Sequence, residues 1–252
     1  MNTFAYDLHL HSALSPCAQE DMTPGNLAGM AQVAELRVAA LTDHDSCGNC
    51  PAFFSACEAY GIVPIAGMEL TTAEDIHLIC LFPALETAMT FDGAVQDRRL
   101  RMPNRPELFG EQVLFDTQDR IIGSEPDYLP AATDLTLNEA MLLVTAHGGV
   151  CYPAHIDREG NGILAILGDF PETPAFAAVE IARANNAALA GGRMILCCSD
   201  AHRLWEIGNR EQKIELDVER DAPADIIRKA LFAALRGNIP LCEGVPKGRG
   251  GL

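Results

Sequence analysis

Short apolar runs alternate along the chain with segments whose apolar residues recur every three or four positions. Phe4–Leu10, Val38–Leu41, Ile62–Ile65 and Ile76–Phe82 predict strands; the unbroken Val38–Leu41 run suits one covered on both faces. Val150–Tyr152, Ala177–Ile181, Met194–Cys198 and Lys213–Leu216 predict further strands. Thr23-Pro24 predicts a helix reaching about Leu36, with threonine as cap and proline at its first position. Pro51–Tyr60 reads as a helix stopped by Gly61, and Leu135–His147 as one stopped by Gly148-Gly149. Ala222–Arg236 reads as a final helix with Asp221 as cap. Strands alternating with helices predict an α/β fold with a parallel sheet.

The pattern fails between Pro83 and Ala132. That stretch carries Asp97-Arg98-Arg99 and several prolines, and it reads as helical excursions or an insertion. The expected organisation is one domain over residues 1–247, interrupted at about 83–132 and followed by a loose tail at 248–252. A length of 252 residues suits a single α/β barrel.

Composition narrows the class. A hydrophobic share of 48% and a charged share of 21% are ordinary for a globular protein. No apolar run reaches membrane-spanning length, and the first residues lack the basic and apolar regions of an export signal. Nine cysteines, an odd number, then predict reduced thiols and a cytoplasmic location. Cys47 and Cys50 have redox-motif spacing, but C-x-x-C alone is unspecific. A formal net charge of −17 argues against membranes and long duplex DNA as partners. It leaves room for a small phosphorylated substrate, because bound cations would reverse the local field.

The chemistry concentrates at predicted strand ends. His9 and His11 alternate in the first strand, so both imidazoles face the same way. Asp43-His44 follows the second strand, Glu69 the third, and His77 opens the fourth. His155 follows the Val150 strand, and Asp200-x-His202 follows the Met194 strand. Taken singly, each has an ordinary reading. Glu69 would be a surface carboxylate, His77 a bonded core histidine, and Asp200 a turn residue. Together, in this order, they form a ligand set at the rim where parallel barrels place their active sites. His147 precedes Gly148-Gly149 at a helix end and is given no ligand role.

The ordered set His9-x-His11, Asp43-His44, Glu69, His155 and Asp200-x-His202 resembles the PHP (polymerase and histidinol phosphatase) superfamily. The resemblance implies a distorted seven-stranded, TIM-like (β/α) barrel, two or three divalent ions (Zn, Mn or Fe), and phosphoester hydrolysis. By position it implies His9, His11, His44, Glu69, His77, His155, Asp200 and His202 as ligands. The Ser-Asp-Gly that many members carry after His-x-His is broken here, in Ser15-Pro16-Cys17-Ala18-Gln19-Glu20-Asp21. Glu20 is the preferred replacement, with Asp21 and Cys17 as alternatives. In this reading Glu69 bridges ions and Asp43 orients a ligand from behind. Arg158 and Arg203 each follow a ligand motif and would bind phosphate, and His202 or a water would protonate the leaving oxygen.

The expected reaction is hydrolysis of a small phosphomonoester or nucleotide. Three rivals stand beside it. A 5′-end exonuclease acting on short oligonucleotides would use the same centre. An amidohydrolase-like enzyme would usually bridge its metals with a lysine in mid-barrel, but Lys213, Lys229 and Lys247 all lie beyond the last motif. A metal-binding scaffold without turnover would usually have lost ligands. Phosphate-loop and nucleophile-elbow motifs are missing from the sequence.

Overall fold

In the computed structural model, which describes residues 1–210 and 212–237, most of the apolar runs pair into a curled six-stranded sheet. In chain order the strands are β1 (Asn2–Leu10), β2 (Val38–Leu41), β3 (Val63–Thr71), β4 (His77–Phe82), β5 (Val113–Phe115), β6 (Ile121–Ser124), β7 (Val150–Pro153), β8 (Ala178–Glu180), β9 (Met194–Leu196) and β10 (Lys213–Leu216). The helices are α1 (Pro24–Val33), α2 (Cys50–Ala59), α3 (Leu85–Gln96), α4 (Pro106–Phe109), α5 (Leu137–Ala146), α6 (Ile163–Leu167) and α7 (Ala224–Leu235). Two 3₁₀ turns, Ala184–Ala190 and Leu204–Glu206, flank β9.

The sheet order is β10-β1-β2-β3-β4-β7, and β8 and β9 form a separate parallel pair. Strands β1, β2 and β3 run parallel, whereas β4 is antiparallel to both β3 and β7, and β10 is antiparallel to β1. The expected parallel sheet is thus a mixed, curled half-barrel of six strands with a parallel pair beside it. The cause at β4 is chain length. β3 ends at Thr71 and β4 begins at His77, too short a connection for a crossover helix. The pair is nevertheless tied to the sheet near its ends. The Ile156 amide donates to the Glu180 carbonyl at 2.9 Å, and the His11 amide to the Ala201 carbonyl at 3.1 Å.

Both faces of the central strands are covered, which is why Val38–Leu41 is apolar without a break. Phe4, Tyr6, Leu8, Val38 and Ala40 pack with Ile227, Leu231 and Phe232 of α7. Ala39, Leu41 and Leu10 face the opposite way, towards Leu27 and Ala31 of α1 and Phe53 of α2.

Helix boundaries follow local chemistry more closely than the apolar period. Thr23 caps α1 as expected, accepting from the Asn26 amide, but the helix stops at Val33 rather than Leu36. Glu35 just beyond it has φ +57, which no helix continues through. In α5, Thr136 and Glu139 form a reciprocal capping box. Helix α7 starts at Ala224 with Pro223 before it, so Asp221 is not its cap.

The excursion after β4 resolves into α3, α4 and the β5–β6 hairpin. The hairpin lies on the loop that follows β1. The Val113 amide donates to the Ala13 carbonyl, and Asn49 Oδ1 accepts from the Phe115 amide. Gly110, at φ +99, passes so close to Pro16 that a Cβ would meet its carbonyl oxygen at 2.1 Å. Cys47 and Cys50 are buried thiols that point at the Gly67 carbonyl, a packing role. Among the described residues no helix is long and apolar enough to cross a membrane. The expected tail, 248–252, and the domain limit at 247 lie outside the described residues.

Candidate metal centre

Six segments carry the polar groups to one rim. His9 and His11 come from the end of β1, His44 from just beyond β2, and Glu69 from within β3, which runs past the predicted Ile65 to Thr71. His77 opens β4, but because β4 runs backwards its amino end lies at this same rim, with His77 paired to Thr71. His155 follows β7, and Asp200 and His202 follow β9.

Glu69 lies at the middle of the cluster. Its Oε1 is 2.8 Å from His77 Nδ1 and 3.0 Å from His155 Nε2. Its Oε2 is 3.2 Å from both His11 Nε2 and His44 Nδ1, and 3.4 Å from His9 Nε2. Asp200 Oδ1 lies 3.2 Å from the Nε2 atoms of His9 and His11, which are themselves 3.0 Å apart. His11, His44 and His202 form a further group with ligand atoms within 4.8 Å of one another.

These distances fit a cation centre. Ligands about 2.0–2.2 Å from one ion lie roughly 3.0–3.4 Å from each other. The orphaned atoms agree. His44 Nδ1 is buried beside Glu69 without hydrogen-bond geometry, and His155 Nδ1 is likewise unpartnered. Several imidazoles are also held from behind, as metal ligands commonly are. His9 Nδ1 sits 3.0 and 3.1 Å from the two oxygens of buried Glu180. His202 Nδ1 donates to the Asp200 carbonyl at 2.9 Å. His11 Nδ1 meets Ser15 Oγ at 2.9 Å, and that hydroxyl donates to Asp43 at 2.7 Å. Ser12 also donates to Asp43, from both its amide and its hydroxyl. Asp43 therefore acts on the ligands through serines.

Electrostatics bind the set together. Burial alone would raise Asp200, but His9 and His11 hold it well below the usual carboxylate range. Burial opposes the charge of Glu69 too, and His77, His9 and His44 outweigh it, keeping the carboxylate ionised. Burial would lower His11, yet Asp200 and Glu69 raise it to about 9. His202 goes the other way, down to about 4, through burial and the neighbouring His11. It is therefore neutral near pH 7, with Nε2 free to act as a lone-pair donor. Two site residues take left-handed backbone: His155 has φ +26 and Asp200 φ +53, conformations that cost on the order of 1–3 kcal/mol where nothing compensates.

Other expected residues fall differently. Glu20 and Asp21 are exposed and belong to none of the ligand groups. The turn explains this: the Gln19 amide is held by the His202 carbonyl and the Met22 amide by Gln19, so Glu20 and Asp21 project outward while Met22 is buried. Cys17 is exposed too and belongs to none of the ligand groups, but its Sγ lies 3.1 Å from His202 Nε2. Arg158 pairs with Asp200 Oδ2, and Arg203 Nη1 with Glu206 at 3.1 Å. Both arginines line a cavity of about 440 Å³ that opens onto Cys17, Asp200 and His202. His147 stays out, its Nδ1 donating to the Leu143 carbonyl and its ring against Phe91.

Sequence reasoning missed Glu180, Ser15 and Arg210. Glu180 sits in a three-residue strand and is only 1% exposed; a buried acid in an apolar run was the available signal. Arg210, which joins the cavity lining, carries no local motif.

Known structures show the same fold at low identity. Endonuclease Q of Pyrococcus furiosus superposes with a TM-score of 0.63 at 15% identity, over 95% of this chain and 57% of its own. The same enzyme type bound to a 27-mer duplex with an abasic lesion at its active site gives 0.62 at 16%, over 95% and 58%. This chain thus spans little more than half the length of those proteins. An amidohydrolase of Chromobacterium violaceum with bound sulfate gives 0.55 at 17%, over 89% and 96%. A comparison with curated proteins found no match. The PHP domain model matches residues 7–149, more than half of the sequence, and the chain belongs to the PHP domain family.

Proposed function

We propose that the chain is a metal-dependent phosphoesterase acting on a small phosphomonoester or nucleotide. One observation carries this reading: six imidazoles and two carboxylates converge with facing atoms mostly 2.8–3.4 Å apart, in a PHP domain. His9, His11, Glu69 and Asp200 would hold one cation, with Glu69 shared with His44, His77 and His155 for a second. When bound, divalent cations supply Lewis-acid chemistry: they acidify water and neutralise charge on a phosphoryl group.

The chain's own residues do the rest. Glu180 and the Ser15–Asp43 pair fix the tautomers of His9 and His11, so lone pairs face inward. Arg158 and Arg203 stand at the cavity, where a phosphate can compete for their forks with Asp200 and Glu206. His202 serves as a ligand more readily than as an acid, because it is neutral near pH 7.

A second reading has a specific observation behind it. A fold neighbour was crystallised on a lesion-containing duplex, so the exclusion of long duplexes expected from net charge has no support. Lys213 and Lys229 are both exposed, away from the rim, so neither bridges cations as in many amidohydrolases. The test is a screen for phosphate release and for strand cleavage after chelation and reloading with Mn²⁺, Fe²⁺ or Zn²⁺. Its substrates are a mononucleotide, a short single strand and an abasic duplex. The expected result is cation-dependent turnover, greatest on the mononucleotide. Full activity in chelated protein would overturn the reading, and cleavage of the duplex alone would favour the nuclease.

A further inference from the structure

We propose that a second anion subsite adjoins the cation centre, in which Arg183 and Arg210 hold a further phosphoryl group of the substrate. The inference deepens the phosphoesterase reading and rests on it: the substrate it names carries two phosphoryl groups rather than one.

The subsite is a cavity of about 630 Å³ bordered by Arg158, Arg183 and Arg210, with Asp157 and Glu159 as its acids. It shares Arg158 and Arg210 with the cavity of about 440 Å³ that opens onto Asp200 and His202, so the two adjoin. Arg203 lines the first cavity and Arg183 the second. Four of the chain's 18 lysines and arginines thus line one recess beside the cluster. On a chain of formal charge −17, such a concentration marks where an anion can settle.

Most acids of the recess are already engaged. Asp200 belongs to the cation centre. Glu206 accepts from the His202 and Arg203 amides at 2.9 and 3.1 Å. Asp157 accepts from the Ala182 and Arg183 amides at 2.6 and 2.8 Å, and from Asn186 Nδ2 at 2.9 Å. Glu159 is the remaining acid, and it is exposed. Arg158 and Arg203 pair with Asp200 and Glu206, whereas the ion pairs among the described residues include neither Arg183 nor Arg210.

The backbone holds these arginines in place. The three bonds to Asp157 clamp the loop after β7 to the loop after β8, which fixes where Arg183 leaves the chain. Arg210 is set against the same loop, its Nη1 donating to the Ile181 carbonyl at 3.3 Å. The Arg158 amide donates to the His155 carbonyl at 2.9 Å, and a Cβ on Gly162 would meet the Arg158 carbonyl at 2.6 Å, so that loop is tightly wound. Three loops therefore bring three guanidinium groups to one cavity. A planar fork of N–H donors matches phosphate oxygens two at a time. The second phosphoryl group has two sources: a terminal phosphate elsewhere on a small molecule, or the diester that joins a next nucleotide.

The test uses the full chain loaded with Mn²⁺ and three substrates. These are a nucleoside 5′-monophosphate, the same nucleoside phosphorylated at both 3′ and 5′ positions, and a 5′-phosphorylated dinucleotide. One of the last two should show a KM about tenfold below that of the monophosphate, and which one does so identifies the source. Arg183→Ala should return that KM to the monophosphate level with kcat unchanged, and Arg183→Lys should recover part of the difference. The subsite needs no cation, so calorimetry on chelated protein should show the same preference, absent in Arg183→Ala. Equal KM values for one and two phosphoryl groups, or a preference that Arg183→Ala leaves intact, would overturn the subsite while the turnover itself upheld the phosphoesterase. No turnover of any substrate, with the preference present in chelated protein, would sink the phosphoesterase and uphold the subsite.

Discussion

The strand rim and Gln112 of the excursion between β4 and α5 both bury polar groups, and they use them in opposite ways. In the excursion, Gln112 is fully buried and satisfied within the protein. Its Nε2 donates to the carbonyls of Glu125 and Asp127, and its Oε1 accepts from the Leu129 amide. At the rim, buried nitrogens and carboxylates face one another at close range, and His44 and His155 keep nitrogens without hydrogen-bond partners. A closed network stiffens a loop, whereas lone pairs aimed at one point are a receptor for something else. The first region supports the second, since β5 is bonded through Asn49 to Ser12, one of the groups that hold Asp43.

That contrast can be broken most sharply at Glu69. Glu69→Gln removes the charge next to five imidazoles, and the expected result is loss of bound cations and of turnover together with the fold retained. The loss should exceed the roughly 10–100-fold typical of an outer ligand partner. Elemental analysis and phosphate release measure it, and retention of both would show that the rim is an ordinary polar core.

Glu180→Ala comes next. It frees His9 Nδ1 without touching the inward atoms, so cation affinity should fall by about 10–100-fold. Titration with a competing chelator reads the change; unaltered affinity would mean that packing alone orients His9.

Gln112→Ala tests the other side. The Glu125 carbonyl and the Leu129 amide lose their partner while the Asp127 carbonyl keeps Arg99, for an expected destabilisation of about 1–3 kcal/mol by urea unfolding, with the cation count unchanged. A lost ion would mean that the excursion contributes to the site directly.

The mildest effect concerns protons. His9 is raised well above 6.5 and His11 to about 9, in both cases by carboxylates overcoming burial. Cations need those lone pairs, so loading at pH 7 should release protons and weaken as pH falls. In chelated protein the stabilisation from the His11 proton is fully present below pH 6.5 and is lost as pH rises through about 9. Calorimetry in buffers of different ionisation enthalpy would detect the release, and its absence would place these imidazoles in the neutral form.

Much of the candidate centre was legible because each ligand lies close to a strand end that its own apolar run announces. Two side chains in alternation, or an acid after four apolar residues, are set by the period of a strand. Glu180 and Ser15 were not legible, because nothing local separates a buried partner from a solvated one. The excursion was unreadable for a related reason: β6 reads Ile-Ile-Gly-Ser yet is wholly exposed, so its apolar residues do not report a buried face.

By itself, then, the chain of residues determined the family, the helix cap at Thr23, and the eight side chains that converge at the rim, with His77 opening β4. Tertiary structure decided the rest. It turned β4 antiparallel, left β8 and β9 as a separate pair, turned Glu20 outward and brought Cys17 to His202. The reason is range: strand period and capping are set by residues a few positions apart, whereas Cys17 and His202 meet only once the chain between them has folded.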